Sequence, residues 1–206
     1  MYYTIGSESS AELTVKHSKF IAFCARTEGE EQAECFVKSV KKRFTDATHA
    51  PYAYLLGERG DKSRASDDGE PSGTSGVPIL EAIRNSGLTD VSVVVVRYFG
   101  GIKLGTGGLA RAYADAALAA IKTSGRIAMD KCTIFTLFCD YGAISAVQTQ
   151  VFSFGGSIRS ADYTDGAIIT AAIPSDRKDA FLSSLADATS GKVRAEAGEE
   201  LYCEVK

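Results

Sequence analysis

Hydrophobic positions in the first half of the chain follow both helical and strand-like spacing. The strongest run is Val91–Val96, whose nearly continuous apolar residues predict a buried strand. A second strand is predicted at Phe20–Ala25, and apolar residues at helical spacing predict helices over Glu28–Phe44 and Leu109–Lys122. The remaining predicted elements of this half are strands at Tyr2–Ile5, Glu12–Val15 and Tyr52–Leu56, and a helix at Val77–Ser86.

The second half repeats a simpler alternation of strands and helices. Strand, helix, two strands around the turn Thr164–Gly166, helix and strand give the order βαββαβ, which is typical of a ferredoxin-like domain. A glycine at Gly125 closes the preceding helix, so we predict two α+β domains, residues 1–126 and 127–206. The elements predicted after this boundary are Cys132–Cys139, Ala143–Phe154, Ser157–Tyr163, Ala167–Ile173, Arg177–Ala188 and Lys192–Val205.

The composition of the chain limits which partners it could bind and in which compartment it would be found. The 206 residues are 45% hydrophobic and 24% charged with a net charge of −3, so any binding of a polyanion must come from a local basic patch. Five cysteines without C-x-x-C spacing and only two histidines indicate free structural thiols and no zinc site. No signal peptide is evident and no apolar run is long enough to span a membrane, so we expect a cytoplasmic protein.

Candidate chemistry concentrates in the stretch Arg97–Tyr113, between the valine strand and the long helix. Its glycine-dense turn carries Lys103 and Thr106, with Arg111 in the helix that follows. Glycines let another group approach the backbone, and a helix start presents unpaired N–H groups, so the stretch predicts a site for an anion or a partner's backbone. A tight structural connection, with glycine serving packing alone, is the alternative.

A long polar loop precedes this stretch. Glu58–Ser75 has almost no large apolar residue and contains the acidic run Asp67–Glu70. A loop of this length within a compact domain is usually functional or disordered, although a solvated turn has the same composition.

These segments together resemble the IMPACT/YigZ family. The resemblance rests on Arg97–Tyr113, Asp67–Thr74, His49 with Tyr52–Tyr54, and Ser18–Ala22, and it covers the first domain through its long helix. The second domain is similar to the smaller C-terminal domain of bacterial members, itself similar to the fifth domain of elongation factor G.

This resemblance implies a fold and a field of activity. The first domain would have the β-α fold shared with a small-subunit ribosomal protein and with a domain of elongation factors. Eukaryotic relatives regulate translation under starvation, by competing for the activator of the kinase that phosphorylates an initiation factor. For a bacterial-type member, the two folds suggest contact with nucleic acid or the ribosome, by analogy of fold.

We predict first a non-enzymatic binding or regulatory protein linked to translation or its stress control. Arg97, Lys103 and Arg111 would contact phosphates, while Tyr98, Phe99 and Tyr113 would stack on a base or line a protein contact. Core packing is the alternative for Tyr98 and Phe99. Its partner would be RNA, the ribosome or a translation-associated protein, without a cofactor or metal. The predicted site residues are Arg97, Tyr98, Gly100, Gly101, Lys103, Gly105, Thr106, Gly107, Gly108, Arg111, Tyr113, Asp67, Asp68, Gly69, Glu70, Ser72, Thr74 and His49.

The alternative is an enzyme that depends on a nucleotide or another phosphate ligand. Asp67, Asp68 and Glu70 would hold Mg²⁺, Lys103 and Thr106 would hold the phosphates, and His49 would be the base. The turn is not a phosphate-binding loop of the G-x-x-x-x-G-K-[ST] type, because Thr106 stands where that motif requires lysine. It fits the dinucleotide pattern G-x-G-x-x-[GA] only weakly, since the turn begins too far beyond its strand.

Overall fold

The computed structural model describes residues 1–205, and the chain divides into two compact units. One comprises Tyr2–Ile127, and the other comprises Met1 and the chain from Ala128 onward. Both mix helices with antiparallel strands, which confirms the predicted α+β class.

The first unit is built on a five-stranded antiparallel sheet with helices on both faces. The strands lie in the order β2, β3, β6, β4, β5. The elements of this unit are β1 (Tyr2–Ile5), β2 (Ser9–Val15), β3 (Ser18–Arg26), α1 (Glu30–Arg43), β4 (Tyr52–Leu56), β5 (Lys62–Ser66), α2 (Gly76–Asn85), β6 (Val91–Tyr98) and α3 (Thr106–Thr123).

Strand β6 lies at the centre of this sheet and explains the valine run. Val93 and Val95 pack in the large core with α2 and α3, whereas Val94 and Val96 pack on the opposite face with α1. Because both faces are covered, successive residues are all apolar instead of alternating with polar ones.

The predicted loop over Glu58–Ser75 is wrong in one part, because it contains β5. Among residues 1–205 this strand pairs only with β4, at the edge of the sheet, and its residues are exposed or half-buried. A charged, polar edge strand lacks the apolar alternation on which the prediction depended, although such strands are common because they resist edge-to-edge association.

The second unit has the predicted βαββαβ order. Strands β10, β7, β9 and β8 lie side by side in that order, each antiparallel to its neighbour. The apolar faces of its helices bury Val147, Val151, Phe181 and Leu185 against the sheet. The elements are β7 (Arg126–Cys139), α4 (Ile144–Ser153), β8 (Ser157–Tyr163), β9 (Ala167–Pro174), α5 (Lys178–Thr189) and β10 (Arg194–Val205).

Among the described helices, none combines the length and the hydropathy that crossing a bilayer requires.

Candidate functional site

A pocket of about 490 Å³ lies in the first unit, where β6 ends and α3 begins. The glycine-dense turn forms one side, and the acidic loop and the segment before β4 form the other. Its lining residues are Thr48, His49, Glu70, Pro71, Arg97, Phe99, Lys103, Leu104, Gly105, Thr106 and Leu109.

A buried ion pair forms part of the pocket wall. Glu70 Oε1 accepts hydrogen bonds from Arg97 Nη1 and from the Tyr113 hydroxyl, both at 2.7 Å. The side chains of Glu70 and Arg97 are only 3% and 7% exposed. The other carboxylate oxygen of Glu70 has no hydrogen-bond partner within residues 1–205 and is not sealed from solvent, and Glu70 itself lines the pocket.

The alternation of β6 places Arg97 in this position. Val93 and Val95 point into the core beside α3, and Arg97 continues the same face. Its guanidinium lies 5.6 Å from the ring centroid of Phe20 and 5.4 Å from that of Phe99. A buried guanidinium requires an anion, which the loop supplies as Glu70.

Tyr113 therefore belongs to the core and not to the surface. It is fully buried, and its ring packs edge-on against Phe20 with centroids 5.1 Å apart. Burial, and then the hydrogen bond to Glu70, raise the pKa of Tyr113 far above its usual value. The predicted stacking of Tyr113 on a base is wrong, since no ligand reaches a ring buried in this way; Arg97 is likewise buried and paired, not a free surface cation.

The turn brings a helix N-terminus to the pocket mouth. Gly105 adopts φ 75° before the first residue of α3, and no side chain caps the helix. The first helical hydrogen bond runs from Leu109 N–H to Gly105 O, and within residues 1–205 the N–H groups of Thr106, Gly107 and Gly108 have no acceptor. Together with the exposed Lys103, they create a local positive potential.

The acidic loop uses two of its three carboxylates for its own structure. Asp67 accepts hydrogen bonds from the N–H groups of Gly73, Ser75 and Gly76, and so caps α2. Partial burial opposes charge on Asp67, but the hydrogen bonds from Gly73, Gly76 and Ser75 outweigh it and lower the pKa of the carboxyl. Asp68 pairs with Lys41 and accepts the N–H of Ala50 at 2.9 Å.

The magnesium site of the enzyme alternative is therefore not formed. Asp67, Asp68 and Glu70 are held by separate partners, and residues 1–205 contain no group of three or more His, Cys, Asp or Glu side chains placed to hold a metal ion.

His49 reaches the pocket through backbone pairing with the end of β6. Arg97 N–H donates to His49 O at 2.9 Å, and the His49 ring lies 2.9 Å, at Nδ1, from the carbonyl oxygen of Asp68. A carbonyl oxygen only accepts, so Nδ1 carries a proton and Nε2 is the basic nitrogen of the neutral ring. Gly69 makes room for this ring, because a Cβ there would lie 3.1 Å from Nδ1.

Several predicted site residues lie outside the pocket lining. The Tyr98 hydroxyl donates to Asp46 at 2.9 Å, and Arg111 is exposed on α3. Thr74 is buried with its hydroxyl donating to Pro71 O at 2.6 Å. The other predicted residues that do not line the pocket are Gly100, Gly101, Gly107, Gly108, Tyr113, Asp67, Asp68, Gly69 and Ser72.

Sequence reasoning missed four pocket residues: Thr48, Pro71, Leu104 and Leu109. They flank predicted residues and are ordinary in type. The available signal was proximity along the chain, since Leu109 begins the predicted helix, Leu104 lies in the turn before it and Pro71 follows Glu70.

Comparison with known proteins gives a consistent family. Residues 16–121 match the Impact N-terminal domain, and residues 137–192 match a domain of unknown function, DUF1949. The chain is 32% identical to the IMPACT family member YvyE of Bacillus subtilis over 98% of this chain and 94% of that protein. It is 36% identical to YigZ of Escherichia coli over 90% and 92% of the two chains. A crystal structure of a hypothetical protein is similar with a TM-score of 0.62 at 34% identity, covering 96% and 97%. The chain belongs to the IMPACT family.

Proposed function

We propose that the protein is a non-enzymatic cytoplasmic factor, linked to translation or its stress control, that binds RNA, free or in the ribosome, through the pocket beside Lys103. One observation carries the proposal: the pocket mouth combines an uncapped helix N-terminus and Lys103 with the exposed ring of Phe99, which is 47% exposed. A phosphate and an adjoining base need this pairing of positive potential and aromatic surface.

The overall charge of −3 makes local chemistry decisive. The chain as a whole does not attract polyanions, but the turn at the start of α3 carries three N–H groups without acceptors among the described residues and the ammonium of Lys103. Such a site binds RNA in a salt-dependent manner, because each neutralised phosphate releases condensed counterions. The link to translation draws on family membership and on the resemblance of both domains to translation-associated folds.

The arrangement of carboxylates favours binding over metal-assisted catalysis. Asp67 caps a helix, Asp68 pairs with Lys41, and Glu70 neutralises a buried arginine. Each carboxylate is held by a partner that keeps the loop folded, which suits a surface of fixed shape.

The experiment is a salt-varied titration of fluorescently labelled cellular RNA and of ribosomes. Wild type is compared with Lys103→Ala/Arg111→Ala and with Lys122→Ala, whose exposed lysine lies near the far end of α3, roughly 24 Å along the axis from Thr106. We expect binding by wild type and Lys122→Ala, and loss of up to about two units of salt slope in the double variant.

Failure of wild type to bind RNA and ribosomes contradicts the proposal, as does equal binding by the double variant. A further outcome is that the protein binds ribosomes but not free RNA, and that an excess of competing RNA that resists ribonuclease leaves this binding unchanged. That combined result points instead to a translation-associated protein as the partner.

A second candidate, a phosphate-ligand-dependent enzyme, draws on His49. Its hydrogen bond to Asp68 O fixes the ring and leaves Nε2 basic in a pocket that also contains Glu70. A screen of nucleotides and phosphate esters tests this candidate: turnover by wild type and its loss in His49→Asn support it, and absence of turnover removes it.

A further inference from the structure

We infer that the pocket holds one unstacked ribonucleotide of the RNA, and that Glu70 accepts a hydrogen bond from its ribose 2′-hydroxyl. This inference rests on the proposed function and specifies the chemical class of its ligand. It gives the protein a means of distinguishing RNA from DNA.

Glu70 offers an unused hydrogen-bond acceptor. Two donors, Arg97 Nη1 and the Tyr113 hydroxyl, converge on Oε1 at 2.7 Å each. Oε2 is without a partner among the described residues, although the side chain is only 3% exposed. Solvent reaches this oxygen in the unliganded protein, so a ligand that fills the pocket displaces water from it and must bring a donor in its place.

The charge of the Glu70–Arg97 pair restricts which donor can approach this oxygen. Arg97 already neutralises Glu70, and both side chains are largely buried. An ammonium at this position would add an uncompensated positive charge, whereas a hydroxyl satisfies the oxygen without changing the charge. The donor that fits is therefore a neutral O–H.

Other groups of the pocket indicate the remaining parts of the ligand. The N-terminal N–H groups of α3 and Lys103 attract an anionic phosphate at the pocket mouth. Phe99, Leu104 and Leu109 supply an apolar lining against which a base packs. The volume of about 490 Å³ lies within the range of roughly 300–1,000 Å³ that is typical of small-ligand pockets.

A phosphate, a flat base and a neutral hydroxyl between them describe a nucleotide with a ribose. Proteins read single-stranded RNA by accepting splayed bases on aromatic rings, and they distinguish RNA from DNA through the 2′-hydroxyl. Gly107 fits this arrangement, because open space surrounds the position where its side chain would be, so packing does not require glycine there.

The experiment uses the full chain and three pools of single-stranded 12-nucleotide oligomers of random sequence: RNA, DNA and 2′-O-methyl RNA. The methyl ether keeps the sugar pucker of RNA but cannot donate a hydrogen bond, so it separates the donor from the shape of the strand. We expect DNA and 2′-O-methyl RNA to bind about 10- to 100-fold more weakly than RNA, the range for a lost hydrogen bond to a charged group.

Equal affinity for the three pools overturns the inference. If Lys103→Ala then lowers the affinity for all three pools by the same factor, the proposed function stands without the inference about the 2′-hydroxyl. If wild type binds none of the pools and no ribosomes, the proposed function itself fails.

A protein variant gives an independent readout. In Glu70→Gln we expect the RNA-to-DNA affinity ratio to fall toward one, while Tyr113→Phe, which removes a donor to the other oxygen, keeps the preference for RNA. An unchanged ratio in Glu70→Gln contradicts the inference. If thermal melting shows that Glu70→Gln does not fold, the comparison of the three oligomer pools with wild-type protein is the test of the inference.

Discussion

Two glycines of the same turn should respond to alanine with opposite signs. At Gly100, an added Cβ would lie 2.1 Å from the carbonyl carbon and oxygen of His17 and 2.5 Å from Ser18 N. These are backbone atoms, so relief requires movement of the main chain where β3 meets β6. At Gly107, no atom lies within 4 Å of an added Cβ, and the residue is helical.

The magnitudes follow from these distances. Overpacking at Gly100 costs about 1–3 kcal/mol, and displacement of its N–H from Ser18 Oγ, at 3.2 Å, adds about 0.5–1.5 kcal/mol. We therefore expect Gly100→Ala to lose about 1.5–4.5 kcal/mol in free energy of unfolding. Gly107→Ala should gain up to about 1 kcal/mol, since alanine restricts the unfolded chain and favours the helix.

Urea unfolding of the full chain, followed by far-UV circular dichroism, measures both effects at a common m-value. RNA titrations of the same samples add the functional contrast: Gly107→Ala should bind RNA more weakly than wild type although it is at least as stable. Wild-type stability of Gly100→Ala, or a loss of more than about 1 kcal/mol in the free energy of unfolding of Gly107→Ala, would contradict these expectations.

Two further predictions concern buried polar groups. Tyr113→Phe keeps the ring against Phe20 but removes the bond to Glu70, so urea unfolding should show a loss of about 1.5–3 kcal/mol; a loss below 0.5 kcal/mol would mean that the hydroxyl does not support the ion pair. Burial raises the pKa of the Cys24 thiol to about 12. Above pH 9 the thiol ionises in the unfolded chain but not in the native protein. The contribution of the buried thiol to the free energy of unfolding is therefore complete below pH 9 and is lost between about pH 9 and 12. The stability gap between wild type and Cys24→Ala, measured at pH 8 to 10.5, should narrow by about 1.4 kcal/mol per pH unit above 9. A constant gap contradicts it.

Much of the fold follows from local patterns in the sequence. A few neighbouring residues are enough to predict the valine strand β6, the helix α1 and the turn between β8 and β9. Strand β5 does not, because an edge strand made of Lys62–Ser66 buries too little apolar surface to show a pattern.

The site was less accessible to sequence reasoning because it depends on distant pairings. Glu70 meets Arg97 across 27 positions, and Tyr113 joins them from another element. Extending the alternation of β6 by one residue beyond Val96 would have placed Arg97 on the core face. The identity of its partner, however, depends on how the acidic loop folds, and that is set by contacts such as Asp67 with Gly76.

Photo-crosslinking tests most directly whether RNA occupies the pocket. Wild-type protein is irradiated with RNA containing 4-thiouridine, digested with trypsin and analysed by mass spectrometry. Cleavage after Arg97, Lys103 and Arg111 isolates the turn in the peptides 98–103 and 104–111. We expect the RNA adduct on peptide 98–103, which contains Phe99, and its loss in Lys103→Gln, whose altered peptide 98–111 is monitored instead. Adducts confined to residues 128–205 would contradict the assignment of RNA binding to this pocket.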